Sequence, residues 1–129
     1  MYLYSFEKLE VWKLSKNVCV DIYQLTGKFP SEEKFGMVSQ MRRASISIAS
    51  NISEGSSRMS NKDQAHFYTM AYSSAIELLN QLIISEALLF INAEDLIQAR
   101  VNLEPITRGI SKLRESALNP KPSTLNPKP

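Results

Sequence analysis

Apolar residues recur at intervals of three and four along most of the chain, the spacing that puts side chains on one face of an α-helix. Val11, Leu14, Val18, Ile22 and Leu25 predict a first helix over about residues 6–26, with Gly27 as its stop. Phe29-Pro30 forms an extended turn. Ser31 is then a good N-cap for a second helix, with Glu32 and Glu33 in its first turn where the dipole favours negative charge. This helix is expected to tolerate Gly36, to run to about Ser53, and to have Gly55 near its end. On it Met41, Ser45, Ile48 and Ile52 share one side, and Gln40, Arg43, Ser47, Asn51 and Glu54 another.

A third helix starts near Ser60, with Asp63 at N3 as in a capping box, and reaches about Phe90. Tyr68, Ala71, Ala75, Leu78, Leu82, Ser85 and Leu89 keep the 3,4 spacing. Tyr72, Ile76, Leu79, Ile83 and Phe90 make a second apolar line beside it. So wide an apolar arc fits either the most central helix of a bundle or a helix with one side against another subunit. Asn92 caps a fourth helix whose line runs Leu96, Ala99, Leu103, Ile106, Ile110, Leu113 and Ala117, and Pro105 is expected to bend or divide it. Short connections between four amphipathic helices predict an all-α, antiparallel, up-down-up-down four-helix bundle over residues 1–117. Residues 118–129 carry the proline-rich repeat LNPKPST-LNPKP, read as a flexible tail.

At 129 residues and 43% hydrophobic content, the chain suits one domain with a single core. No stretch approaches the roughly 20 apolar residues of a membrane span, and no signal-peptide pattern opens the chain, so a soluble cytoplasmic protein with no membrane partner is expected. The single cysteine, Cys19, excludes an internal disulfide and reads as a packed thiol. The formal charge is +2, yet Lys121 and Lys128 in the tail account for it: without them 13 Lys and Arg face 13 Asp and Glu. What remains is local. Between residues 34 and 62, Lys34, Arg42, Arg43, Arg58 and Lys62 are opposed only by Glu54.

Catalytic chemistry has little support. The sequence lacks a glycine-rich phosphate loop and a Cys/His metal cluster, and it has one histidine, His66, on the polar face of the third helix. The Glu-x-x-His motifs of di-iron bundles are missing. No catalytic residue, metal or cofactor is therefore assigned. Glu54 and Glu77 are the acids expected among apolar or small neighbours, and they need partners. Arg43, Ser47 and Asn51 offer them, so these five residues are read as a structural polar network, with a ligand surface as the other reading. Arg42, Arg58, Lys62 and Lys34 are the candidates for contacting nucleic-acid phosphates. Trp12 reads as a packing anchor, and Tyr2, Tyr4 and Phe6 as residues able to pack on a neighbouring subunit.

Several segments together carry a resemblance. They are Leu9-Glu10-Val11-Trp12, Tyr23, Thr26, Phe29-Pro30, Glu33, Phe35-Gly36 and Gln40. Arg42-Arg43-Ala44, Ser47-Ile48, Asn51-Ile52-Ser53-Glu54-Gly55 and Arg58 continue the series. Phe67, Ala71, Ser74, Glu77-Leu78 and Gln81-Leu82 complete it. In this order they resemble the small four-helix-bundle proteins encoded within intervening sequences of bacterial 23S rRNA genes, over about residues 6–116. The resemblance implies a ring-shaped homo-oligomer, a pentamer, without catalytic activity. That family is similar in fold to the accessory protein of diversity-generating retroelements, which partners a reverse transcriptase and binds nucleic acid through a basic surface. Two expectations follow: association with RNA or a nucleic-acid enzyme such as a reverse transcriptase, or a purely structural assembly module.

Overall fold

Each of the four amphipathic stretches forms a helix in the computed structural model, which describes residues 1–120. Helix α1 spans Glu10–Thr26, α2 Met37–Ser57, α3 Asn61–Ala87 and α4 Ala93–Leu118. The described residues contain no strand. The helices pack as an all-α bundle, and the expected tail lies outside the described residues from 121 onward.

The inward faces are those the periodicity marks. Met41, Ile48 and Ile52 of α2, Leu78 and Leu82 of α3, and Ile106 and Ile110 of α4 are closed to solvent. Each such side chain contributes roughly 1.5–3 kcal/mol through removal of apolar area from water. Val11, Val18 and Ile22 add the face of α1. Phe29 and Phe90, with ring centroids 5.3 Å apart, pin the α1–α2 connection to the α3–α4 connection.

Local chemistry explains the helix ends, including those that differ from expectation. Ser60 accepts from the Asp63 amide at 3.1 Å and opens α3. Asn92 and Asp95 exchange bonds of 2.8 and 3.2 Å in a complete capping box that opens α4. The first helix starts later than residue 6, because Ser5–Lys8 is a separate 3-10 turn ending at extended Leu9. Ser31 does not cap α2: Ser31–Glu33 closes as its own 3-10 turn, and α2 begins after Gly36. At its other end α2 runs past Ser53 to Ser57, with Gly55 buried inside it. Helix α3 stops at Ala87 because Leu89 turns into the left-handed region. Pro105 lies within α4 without dividing it. It is exposed, and so is Val101 one turn earlier, whose carbonyl loses its amide partner and can be hydrated.

Small residues bring the helices close. A Cβ on Gly109 of α4 would stand 3.0 Å from Cγ2 of Val11 on α1. Among the described residues no helix is long and apolar enough to cross a membrane.

Candidate functional site

With Met41 pointing into the core, the next two positions along α2 diverge. Each residue turns the helix by about 100°. Arg42 therefore swings toward α1 and is half-buried, whereas Arg43 turns to solvent. The Arg42 guanidinium donates from Nε to Thr26 Oγ1 at 3.0 Å and from Nη2 to the Tyr23 carbonyl at 3.2 Å. It also lies 4.4 Å from the centre of the Tyr23 ring. A cation thus occupies the C-terminal end of α1, where the helix dipole favours it, and shares the Tyr23 carbonyl with the Gly27 amide. Thr26 completes the relay by donating to the Ile22 carbonyl at 2.6 Å.

Beside this clamp opens a cleft of about 580 Å³. Tyr23 lines it from α1, Lys34 and Phe35 from the connection before α2, and Arg42, Arg43 and Ile46 along α2. Three cations line it and no acid does. The carboxylates nearest in sequence, Glu32 and Glu33, belong to the preceding turn. Phe35 is 89% exposed, and the Lys34 ammonium sits 5.5 Å from its ring centre. On the opposite side of α1 a second groove, of about 360 Å³ against α4, has the reverse character. It is lined by Asp21 and Asp95 with Val18, Leu25 and Leu103.

The remaining candidate cations lie elsewhere. Fifteen residues separate Arg43 from Arg58, about 23 Å at ~1.5 Å rise per residue. Arg58 stacks over Phe67 at 4.3 Å and pairs with Glu54 at 3.6 Å. Lys62 is exposed in the first turn of α3. The structure thus groups Lys34, Arg42 and Arg43, and sets Arg58 and Lys62 apart at the far end of α2.

Part of the expected polar network is present between α2 and α3. Asn51 donates to the carbonyl and the hydroxyl of Ser47, both at 2.9 Å, and the Ser47 and Ser74 hydroxyls meet at 2.8 Å across the helix interface. Arg43 and Glu54 stand outside it. Arg43 has no side-chain hydrogen bond or ion pair among the described residues, and Glu54 is exposed beside Arg58. Glu77 is likewise exposed, not enclosed, and accepts a 3.4 Å bond from Gln81. The Gln81 side-chain oxygen, Oε1, is buried and has no hydrogen-bond partner among the described residues.

The other singled-out residues have ordinary packing roles. His66 is exposed with its ring edge-on to Phe67, and Cys19 receives a 3.6 Å contact from the Ser45 hydroxyl. Phe6 packs edge-to-face on Trp12, the centroids 5.0 Å apart. Among the described residues no cluster of His, Cys, Asp and Glu is placed to hold a metal ion. Tyr23 and Phe35 escape a search for ligand-binding residues, because each looks like one more apolar position. For Phe35 the signal is adjacency to Lys34, off the apolar line; Tyr23, between Ile22 and Gln24, carries none.

The sequence matches the model of the 23S rRNA-intervening sequence protein family over residues 7–112. Its fold is similar to the crystal structure of a protein of unknown function from the S23 ribosomal protein family of Bacteroides thetaiotaomicron VPI-5482. The TM-score is 0.73 at 21% identity, covering 81% of this chain and 98% of that one. No curated protein matches the sequence. Since the matched segment takes in all of α1, α2 and α3 and most of α4, the chain belongs to the family of 23S rRNA-intervening sequence proteins.

Proposed function

We propose that the protein is a non-enzymatic, homo-oligomeric bundle that associates with RNA through the cleft lined by Lys34, Arg42 and Arg43. The observation that carries this reading is the sign of the cleft: three cations converge on one concavity with no acid in its wall. Phosphate oxygens match that charge, and one cleft per subunit gives weak binding that repetition amplifies. In this reading the helices alternate up and down, and subunits join as a ring, a pentamer. Tyr72, Ile76 and Ile83 of α3 support assembly, since they remain 39–43% exposed at helical spacing on one side of the bundle. A nucleic-acid enzyme such as a reverse transcriptase is a second class of partner for the same assembly, in the cytoplasm.

The test is size-exclusion chromatography with light scattering, with and without total bacterial RNA, followed by a salt titration. RNA is expected to co-elute with an oligomer at low salt and to be released as salt rises, with Arg43→Glu weakening capture. Absence of RNA capture at low salt by an intact oligomer would remove the nucleic-acid part.

One observation favours a second reading, a purely structural assembly module: the Ser47–Ser74 contact ties α2 to α3, Asn51 braces Ser47 from within α2, and these groups leave no donor directed at a ligand. On that reading Asn51→Ala changes oligomer size or melting temperature, and RNA is ignored.

A further inference from the structure

We infer that the basic cleft is built for unpaired nucleotides, with Phe35 as the platform on which a base stacks; this rests on the nucleic-acid reading above. Phosphate affinity alone needs cations and nothing else. This cleft also offers aromatic faces. Phe35 keeps 89% of its surface in water, so its ring is accessible to a ligand. It is placed directly beside Lys34, whose ammonium lies 5.5 Å from the ring centre. Tyr23 repeats the combination, with Arg42 at 4.4 Å from its ring. Rings and cations thus alternate around one concavity, and Arg43 completes it from the α2 side.

That alternation suits a single strand. A duplex keeps its bases stacked on one another and shows the protein mainly phosphates and sugars, so an exposed ring gains nothing from it. A single strand presents free base faces, and stacking one on an aromatic side chain contributes ~1–3 kcal/mol, whatever the base. The hydroxyl of Ser39 in the wall can serve sugar or phosphate oxygens, which fits binding without sequence preference. Trp12, the larger ring, does not compete for this role, since it is half-buried with Phe6 packed edge-on against it.

The experiment compares a labelled single-stranded RNA of about 12 nucleotides, inside the roughly 4–16 nucleotide range of single-strand sites, with the same sequence as a duplex. Fluorescence anisotropy with the full chain at about 50 mM salt provides the readout. Phe35 is exposed, so Phe35→Ala should fold normally, and circular dichroism verifies it. The expected result is single-strand binding at least tenfold tighter than duplex binding, a loss of about tenfold in Phe35→Ala for the single strand only, and recovery in Phe35→Trp. Arg43→Ala should weaken both nucleic acids. The single-strand slope of log K against log salt should be near −1.4 per cleft, from about −0.7 for each of the two phosphates met by Lys34 and Arg43.

Equal affinity for the two forms, or a Phe35→Ala variant as tight as wild type while Arg43→Ala weakens binding, overturns the stacking inference and leaves the nucleic-acid reading standing. No binding of either form overturns both. Polyglutamate that displaces the single strand at equal charge concentration would reveal an acidic-peptide surface, and would also overturn the inference.

Discussion

Gly55 on α2 and Tyr68 on α3 approach so closely that no methyl group fits between them. A Cβ at Gly55 would stand 2.6 Å from Cε1 and 2.9 Å from Cδ1 of the Tyr68 ring, and 3.2 Å from Cβ of Phe67. Gly55 looks in the sequence like a helix stop, yet it sits inside α2 with a negative φ, and its missing side chain is what lets the two helices meet. In Gly55→Ala the better helix propensity is worth about 1 kcal/mol. The ring is only 5% exposed and has little room to retreat, so overpacking costs about 2–3 kcal/mol. The expected outcome is a net loss of about 1–2 kcal/mol in urea unfolding with an unchanged m value. A midpoint equal to or above wild type would show that the interface is looser than this geometry.

The same ring makes stability depend on alkaline pH. Burial raises the Tyr68 phenol above the ordinary tyrosine value of about 10. A raised value means the folded state holds the proton more tightly than the unfolded chain does. Its contribution is therefore complete below about pH 10 and is lost as pH rises through the higher folded value. Tyr68→Phe cannot ionise, so the variant should lose less stability than wild type across that window. Melting temperatures measured for both proteins from neutral pH upward decide it, and parallel curves above about pH 10 would refute the assignment.

Leu89 should be improved by losing its side chain. Its φ of 66° is the left-handed conformation, and it closes α3 in the pattern usually built on glycine. The Phe90 amide reaches the Ser85 carbonyl at 2.9 Å and the Leu89 amide the Glu86 carbonyl at 3.0 Å. A leucine in this conformation costs roughly 1–2 kcal/mol, and the freedom glycine gains in the unfolded chain returns about half of that. With 87% of Leu89 exposed, no packing is lost in the monomer. Leu89→Gly should raise the melting temperature by about 2–4 °C. A fall instead would mean that something beyond the monomer holds this side chain.

What the sequence reveals follows from what is local. Met41, Ser45, Ile48 and Ile52 are all closed to solvent, as their spacing demands, and the Asn92–Asp95 box forms because both partners lie within one turn. The start of α2 misleads because Ser31, Glu32 and Glu33 are good first-turn residues for an α-helix and for the short 3-10 turn they form. The end of α3 misleads because nothing in Leu88-Leu89-Phe90 announces a left-handed residue. Candidate site residues are legible as types and illegible as roles. Arg42 and Arg43 are neighbours with equal charge, and only the position of α1 decides that the first is drawn into a clamp and the second left free. The cleft itself joins Tyr23 to Lys34, Phe35 and Arg43, a juxtaposition that requires the packing of α1 on α2.

The Arg42–Thr26 bond supplies a test of that division of roles. Arg42 joins two helices by donating to a threonine that is 2% exposed and to a carbonyl in the last turn of α1. Bonds from a charged donor are worth about 1.5–3 kcal/mol, and half-burial with partial solvent screening places this one toward the lower end. Arg42→Ala should therefore destabilise by about 1.5 kcal/mol. Arg42→Lys should not restore the loss, because a single ammonium lacks the planar spread of donors that spans the hydroxyl and the carbonyl. Thr26→Val keeps the shape and removes the acceptor. In a double-mutant cycle the two changes should be coupled by about 1 kcal/mol, whereas Arg43→Ala should be additive with Thr26→Val. Additivity for Arg42 as well would mean that its contacts are incidental and that both arginines are free to serve the cleft.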